Sequence, residues 1–258
     1  MPSIPYVAAV NRLLEALPVS DLRRVLAGCV QVDLAIGDVL YTPSERLTQV
    51  YFPLRSVISL VMPIDAVDSL EVGLVGNEGM FGVALALGVD IAPTRAVVQG
   101  AGAALRMDAV TFGRELGSSP ALQREIDRYV FVQLSQAAQM AACARFHVVE
   151  ARLARCLLMT QDRAQADSFH VTQEFLASTL GVRRVGVTEA AGALRKRKLI
   201  RYRRGDITIL DRDGLALASC GCYDADRNLY DRILGERTGT GLRRLQDAAS
   251  LSLRTQPG

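Results

Sequence analysis

The sequence predicts an α+β chain in three parts: an N-terminal β roll, one long helix, and a compact C-terminal module of helices closed by a β hairpin. Three observations carry this. Short runs rich in Val, Ile and Leu recur up to about residue 112, punctuated by Gly, Pro, Asn or Asp at strand-and-turn spacing. From 119 to 144 glycine disappears and apolar residues repeat at helical steps. Residues 172–209 then read as helix, tight turn, helix and hairpin.

The β half contains VQVDL, VLYT, VYFPL, VISLVMPI, LEVGLVG, AVVQGAG and ALRMD, which suggests a sandwich or barrel. A short helical pair precedes it, Asn11–Leu17 and Asp21–Leu26, broken at Pro18, with Ser20 placed to cap the second helix. The long helix starts at Ser119, with Pro120 at the front where a helix accepts it. Leu122, Ile126, Tyr129, Gln133, Gln136 and Met140 form one stripe, and Val130, Leu134, Ala137 and Ala141 a second. One stripe can lie on the β domain while the other pairs with a second copy of the chain, so a homodimer is expected. A further helix is expected over 147–163, with His147 at its start as a locally hydrogen-bonded residue.

Half of the 258 residues are hydrophobic, which excludes a disordered chain. No apolar run reaches the roughly 18 residues that cross a bilayer, and the N-terminus lacks a basic leader, so a cytoplasmic protein with no membrane partner is expected. The net charge of +3 says little, but its distribution says more. Arg183, Arg184, Arg195, Lys196, Arg197, Lys198, Arg201, Arg203 and Arg204 crowd one stretch against the single acid Glu189, a candidate phosphate-binding footprint.

Thr172 is a natural N-cap, and the helix it opens buries Phe175, Leu176 and Leu180. Gly181 supplies a left-handed turn position, and Val182 plugs the turn. A second helix from about Arg183 to Lys198 turns Val187, Ala190, Ala191 and Leu194 inward. Arg183, Arg184, Gly186, Thr188 and Glu189 point outward near its start, where a recognition helix meets base edges. Leu199–Tyr202 and ITIL form a wing around the turn Arg203-Arg204-Gly205-Asp206, whose arginines suit DNA backbone. The DNA-contacting set is therefore Thr172, Gln173, Arg183, Arg184, Thr188, Glu189, Arg203 and Arg204, on double-stranded DNA with two-fold-related half-sites.

Residues 11–223 resemble the Crp/Fnr family of bacterial transcription regulators. The resemblance runs through VYFPLRSVISLV, VGLVGNEGMFG, VEARLARCLLM, TQEFLASTLGVRR, LRKRKLI, RGDITILDRDGL and SCGCY. It implies a cyclic-nucleotide-binding-like β-roll (a jelly roll) over 11–118, a dimerisation helix over 119–145, a winged helix-turn-helix over 146–223, and a C-terminal extension over 224–258. It also implies RNA polymerase as a partner. Two departures stand out. Family recognition helices often read S-R-E-T-V-S-R, and here Val185 replaces the base-reading Glu while Glu189 replaces the later Arg. DNA binding carries over; the usual half-site preference does not. In the effector domain, the family's Gly-Glu-Leu segment becomes Gly82-Val83-Ala84, and the position of its Arg-Ser pair falls near Thr94 and Arg95. Ordinary cyclic AMP binding is not expected, and Gly82, Val83, Thr94 and Arg95 remain the candidate positions for an unidentified small effector. Glu78, ahead of that loop, is expected to be a turn or surface residue.

No cofactor is assigned. The five cysteines are too scattered for a disulfide framework or an iron–sulfur cluster. Cys220-Gly221-Cys222 lacks a second Cys/His pair nearby, so it is expected to be structural, with no metal. A catalytic role is not expected, since VGNEGMFG sits between β segments and no Ser/His/Asp set is evident. The alternative is an effector sensor acting through protein contacts, with a weak, non-specific DNA module, which Val185 and Glu189 would allow. After Tyr223, DADRNLYDRILGE is expected to form a short helix, and LRRLQDAASLSLR an amphipathic or frayed end.

Overall fold

A computed structural model describes residues 11–64 and 69–235. Two short helices open it, α1 (Arg12–Glu15) and α2 (Val19–Ala27). Asn11 caps α1 by accepting from the Leu13 amide at 3.1 Å. Pro18, not Ser20, is the N-cap residue of α2: its carbonyl accepts from the Leu22 amide at 2.9 Å, and Ser20 lies inside the helix.

Seven strands follow: β1 (Val30–Leu34), β2 (Val39–Tyr41), β3 (Gln49–Pro53), β4 (Val57–Pro63), β5 (Ser69–Val75), β6 (Arg95–Gly100) and β7 (Gly102–Asp108). They form two antiparallel sheets, ordered β1-β7-β3 and β2-β6-β4-β5. Side-chain alternation gives each sheet its role. Tyr51 and Ala104 face the inter-sheet core with Ile58, Val75, Phe81 and Val98. Their neighbours Val50, Phe52, Leu105 and Met107 turn to the opposite face, which the helices cover. The expected β roll is therefore present.

Two elements inside this half were not expected. Residues Val83–Leu87 form a 3-10 turn between Gly82 and Gly88, both left-handed. Ala109–Ser118 form α3, capped by Asp108, whose carboxylate accepts from the Thr111 amide at 2.8 Å. Gly113 and Gly117, both poor helix formers, sit inside its ten residues and mask it in the sequence.

The long helix α4 (Pro120–Phe146) is capped by Ser119, which accepts from the Leu122 amide at 3.1 Å. Leu122, Ile126, Tyr129 and Val132 are buried against the roll. Of the second stripe, Val130 packs against the core, whereas Leu134 is 69% exposed and Ala137 and Ala141 are exposed, as is the neighbouring Phe131. His147 is the C-terminal cap of α4, so it closes that helix instead of opening the next, and α5 begins at Val149 and runs to Ala164.

A short strand β8 (Ser168–His170) leads into α6 (Gln173–Leu180), α7 (Arg184–Lys196), β9 (Ile200–Arg203) and β10 (Asp206–Ile209). The wing has three strands, ordered β8-β10-β9, where the sequence reading expected two. Helix α8 (Arg212–Ala218) and helix α9 (Cys222–Leu234) complete the described chain. Helix α9 does not trail away: Tyr230 and Leu234 enter the core shared by the roll and α4. The expected helix after Tyr223 is thus real and begins at Cys222; LRRLQDAASLSLR lies outside the described residues.

Glu78 is not a surface residue. It is 7% exposed, and its carboxylate pairs with Arg163 of α5 at 2.8 Å. A second buried pair joins Arg155 of α5 to Asp226 of α9. The Tyr230 hydroxyl donates to the Glu78 carbonyl at 3.0 Å, so roll, α5 and α9 are tied at one point.

Candidate nucleic-acid interface

The C-terminal module is built on an apolar core of Leu153, Leu157, Leu158, Leu176, Leu180, Val187, Leu194, Ile200, Ile207 and Leu215. That core fixes which faces of α6 and α7 look outward. Thr172 caps α6, its hydroxyl accepting from the Phe175 amide at 3.1 Å. The α6 carbonyl end is held by the Arg152 guanidinium, which donates to the Leu180 carbonyl. Gly181 takes φ of +59°, and a Cβ there would meet Leu70 Cδ1 of β5 at 3.0 Å, leaving little room for a side chain. The chain reverses there, and α7 starts with Arg183 as its N-cap residue.

Arg183, Arg184, Thr188 and Glu189 are all exposed on the first two turns of α7. The unpaired amides of that helix start add positive potential to the two guanidinium groups. Beside them, Arg203 pairs with Asp206 across the wing, so Arg204 and Gly205 are the whole turn, with φ of +54° and +89°. Positive φ at both positions is what a two-residue hairpin of this hand demands. The tight turn lifts Arg204 to the wing tip, and His170 props it from below through a 2.9 Å contact from Nδ1 to the Asp206 carboxylate.

Helix and wing share one open groove of about 480 Å³. Thr172, Gln173, Arg184, Thr188 and Arg204 line it, together with Arg195, Tyr202 and His170. Arg183, Glu189 and Arg203 are exposed on its flanks. His170 escaped the sequence reading because its strand β8 is only three residues long, while Tyr202 was expected in the wing strand but not as a groove residue. Thr188 is partly occupied: its hydroxyl lies 3.1 Å from Gln173 Oε1 and 3.0 Å from the Arg184 carbonyl, fixing α7 against α6.

The four effector candidates have different surroundings. Gly82 takes φ of +95°, and a Cβ there would meet Val50 Cγ1 at 2.9 Å, so this glycine is required by packing. Val83 packs on the helix-side core, Thr94 is buried, and Arg95 stands exposed at the start of β6.

Residues 151–218 match the family model described as the Crp-like helix-turn-helix domain. No sequence among the curated proteins matches the chain. Among solved structures, FixK2 from Bradyrhizobium japonicum aligns with a TM-score of 0.63 at 13% identity, covering 74% of this chain and 98% of that one. The c-di-GMP-responsive global regulator CLP from Xanthomonas campestris gives 0.60 at 16% identity, with 74% and 98% covered. A transcriptional regulator of the CRP/FNR family from Thermus thermophilus gives 0.59 at 21% identity, again covering 74% and 98%. The chain carries a Crp-like helix-turn-helix domain, and around it the fold of the Crp/Fnr transcriptional regulators.

Proposed function

We propose that the protein is a cytoplasmic transcription regulator that binds double-stranded DNA as a homodimer. The observation that carries this is the shared groove: Arg184 and Arg195 of α7 and Arg204 of the wing converge on one exposed face. Arg183, Arg184 and Thr188 read bases in a major groove, while Thr172, Gln173, Arg203 and Arg204 position the module on the backbone. Glu189 stands where it would accept from a cytosine amine. Val185, 61% exposed between the two reading positions, offers apolar contact to a thymine methyl instead of a carboxylate.

Dimerisation is supported by the exposed part of the second stripe of α4, Leu134, Ala137 and Ala141, with Phe131 in the open beside it. Two copies pairing along this helix would present two recognition helices to half-sites about one helical turn apart. Contact with RNA polymerase and a small effector at the roll belong to the same reading. Mobility-shift titration against genomic fragments tests it. Binding to a subset of fragments, with affinity falling steeply as salt rises, is the expected result. Equal weak binding to random DNA would instead favour a sensor acting through protein contacts. Sedimentation of Leu134→Lys against the native chain tests the dimer, with a shift toward monomer expected.

A further inference from the structure

Helix α4 ends with Cys143 and His147 four residues apart, one turn of helix, so both side chains fall on one edge. At the far end of the C-terminal module, α8 stops at Ala218, and Cys220-Gly221-Cys222 turns the chain into α9. The fold brings these two segments together. Cys143 Sγ lies 3.5 Å from Cys220 Sγ, and Cys222 Sγ lies 3.5 Å from His147 Nδ1. No two of the four ligand atoms are more than 4.8 Å apart.

We infer that Cys143, His147, Cys220 and Cys222 form a structural zinc site that staples the neck of the DNA-binding module. Zinc takes thiolate at about 2.3 Å and imidazole at about 2.0 Å in a tetrahedron, which places neighbouring ligand atoms about 3.6–3.8 Å apart. The two closest separations already match those edges, and small side-chain rotations close the rest. Three soft sulfurs and one imidazole select zinc over the hard oxygen-seeking cations. The three cysteines are buried while His147 is exposed, which leaves an entry path from solvent.

The surroundings fit a metal better than an ordinary core. The three cysteines make a cluster of their own, with only Ala151 as a partly buried apolar neighbour. Gln139, one turn before Cys143, donates to Cys222 Sγ at 2.9 Å, as an outer-shell residue orienting a ligand would. The Cys222 amide serves Cys220 in the same way. Uptake of one Zn²⁺ releases three thiol protons and leaves the site with one net negative charge, toward which the Arg155 guanidinium contributes a favourable field.

The position gives the site its role. Cys143 and His147 stand immediately before α5, where the chain enters the DNA-binding module, and Cys220 and Cys222 stand where it leaves. One ion thus joins entry, exit and the end of the long helix, fixing how the module sits on α4. Metal binding itself does not rest on the DNA-binding reading.

The test is metal analysis of the purified full-length chain under reducing conditions. One zinc per chain surviving exhaustive dialysis is expected. Cobalt(II) in its place should give thiolate-to-metal charge transfer and tetrahedral ligand-field bands. His147→Ala removes an exposed ligand without opening the core and should weaken retention against a competing chelator at least tenfold. The double variant Cys220→Ser/Cys222→Ser should lose the metal altogether; circular dichroism checks its fold, and chelation of the native chain replaces it if folding fails. A reduced native chain that holds no metal and gives no cobalt spectrum overturns the proposal. So does a metal content indifferent to both variants, or a resting Cys143–Cys220 disulfide.

Discussion

The helix-turn-helix and the neck beneath it are stabilised in opposite ways. The module's core is apolar and drawn mostly from α5 to α8, with Val57 and Leu74 of the roll and Tyr223 of α9 packed against it. The neck uses buried charge and sulfur from segments far apart: Arg155 with Asp226, separated by 71 positions, and Cys143 with Cys220, separated by 77. Burying apolar surface is forgiving, because any side chain of about the right volume serves. A buried ion pair is unforgiving, because removing one partner strands the other in low dielectric. The core of the helix-turn-helix module therefore tolerates changes of side chain that the neck does not.

The largest expected effect separates the two regions by function. Reversing charge in Arg183→Glu/Arg184→Glu should cost DNA binding about 4 kcal/mol or more, near a thousandfold, since each lost arginine–base contact is worth about 1–3 kcal/mol. Because both side chains are exposed, thermal stability should be unchanged, and a melt alongside the binding titration checks this. Retained binding would remove α7 as the reading helix.

Next comes the converse in the neck. Asp226→Ala leaves the Arg155 guanidinium buried and unpaired and should destabilise the fold by about 3 kcal/mol or more in urea denaturation. A loss below about 1 kcal/mol would mean that water reaches the pair and that it contributes no more than an exposed ion pair.

Glu71 sharpens the comparison by pH. It is fully enclosed between β4, β5 and the helices, where burial pushes its carboxyl from 4.5 up to about 7, opposed by the 2.6 Å hydrogen bond from Ser59. The unfolded chain ionises first, so the contribution of the protonated form is complete below pH 4.5 and is lost as pH rises through 7. Glu71→Gln should thus raise stability by up to about 3 kcal/mol at pH 8 and change little at pH 4, read from melts across that range. The smallest effect lies back in the module. Thr172→Ala removes the cap of α6 and should cost about 1 kcal/mol, with DNA affinity falling only as far as α6 frays.

The DNA-binding module was legible because its determinants are local. Thr172, Gly181 and the inward spacing of Val187, Ala190, Ala191 and Leu194 each act within a few residues of one another, and the structure buries those four side chains as expected. The two-faced character of α4 was legible for the same reason. What escaped was either too short or too distant. Strand β8 has three residues, the 3-10 turn five, and α3 is diluted by two glycines. Glu78 reads as a turn residue until Arg163 arrives beside it from α5.

From the sequence alone came the β roll, the long helix with an exposed stripe, the winged helix-turn-helix, and the exposed arginines of α7 and the wing. Periodicity, caps and turn residues encode these within a window that a linear reading can span. Only the tertiary structure decided that α9 returns to the roll, that Glu78, Arg155, Arg163 and Asp226 form a buried charged joint, and that Cys143 and His147 meet Cys220 and Cys222. Those meetings depend on how the module is docked on α4. Docking is set by the sum of many long-range contacts, so no short stretch of sequence carries it.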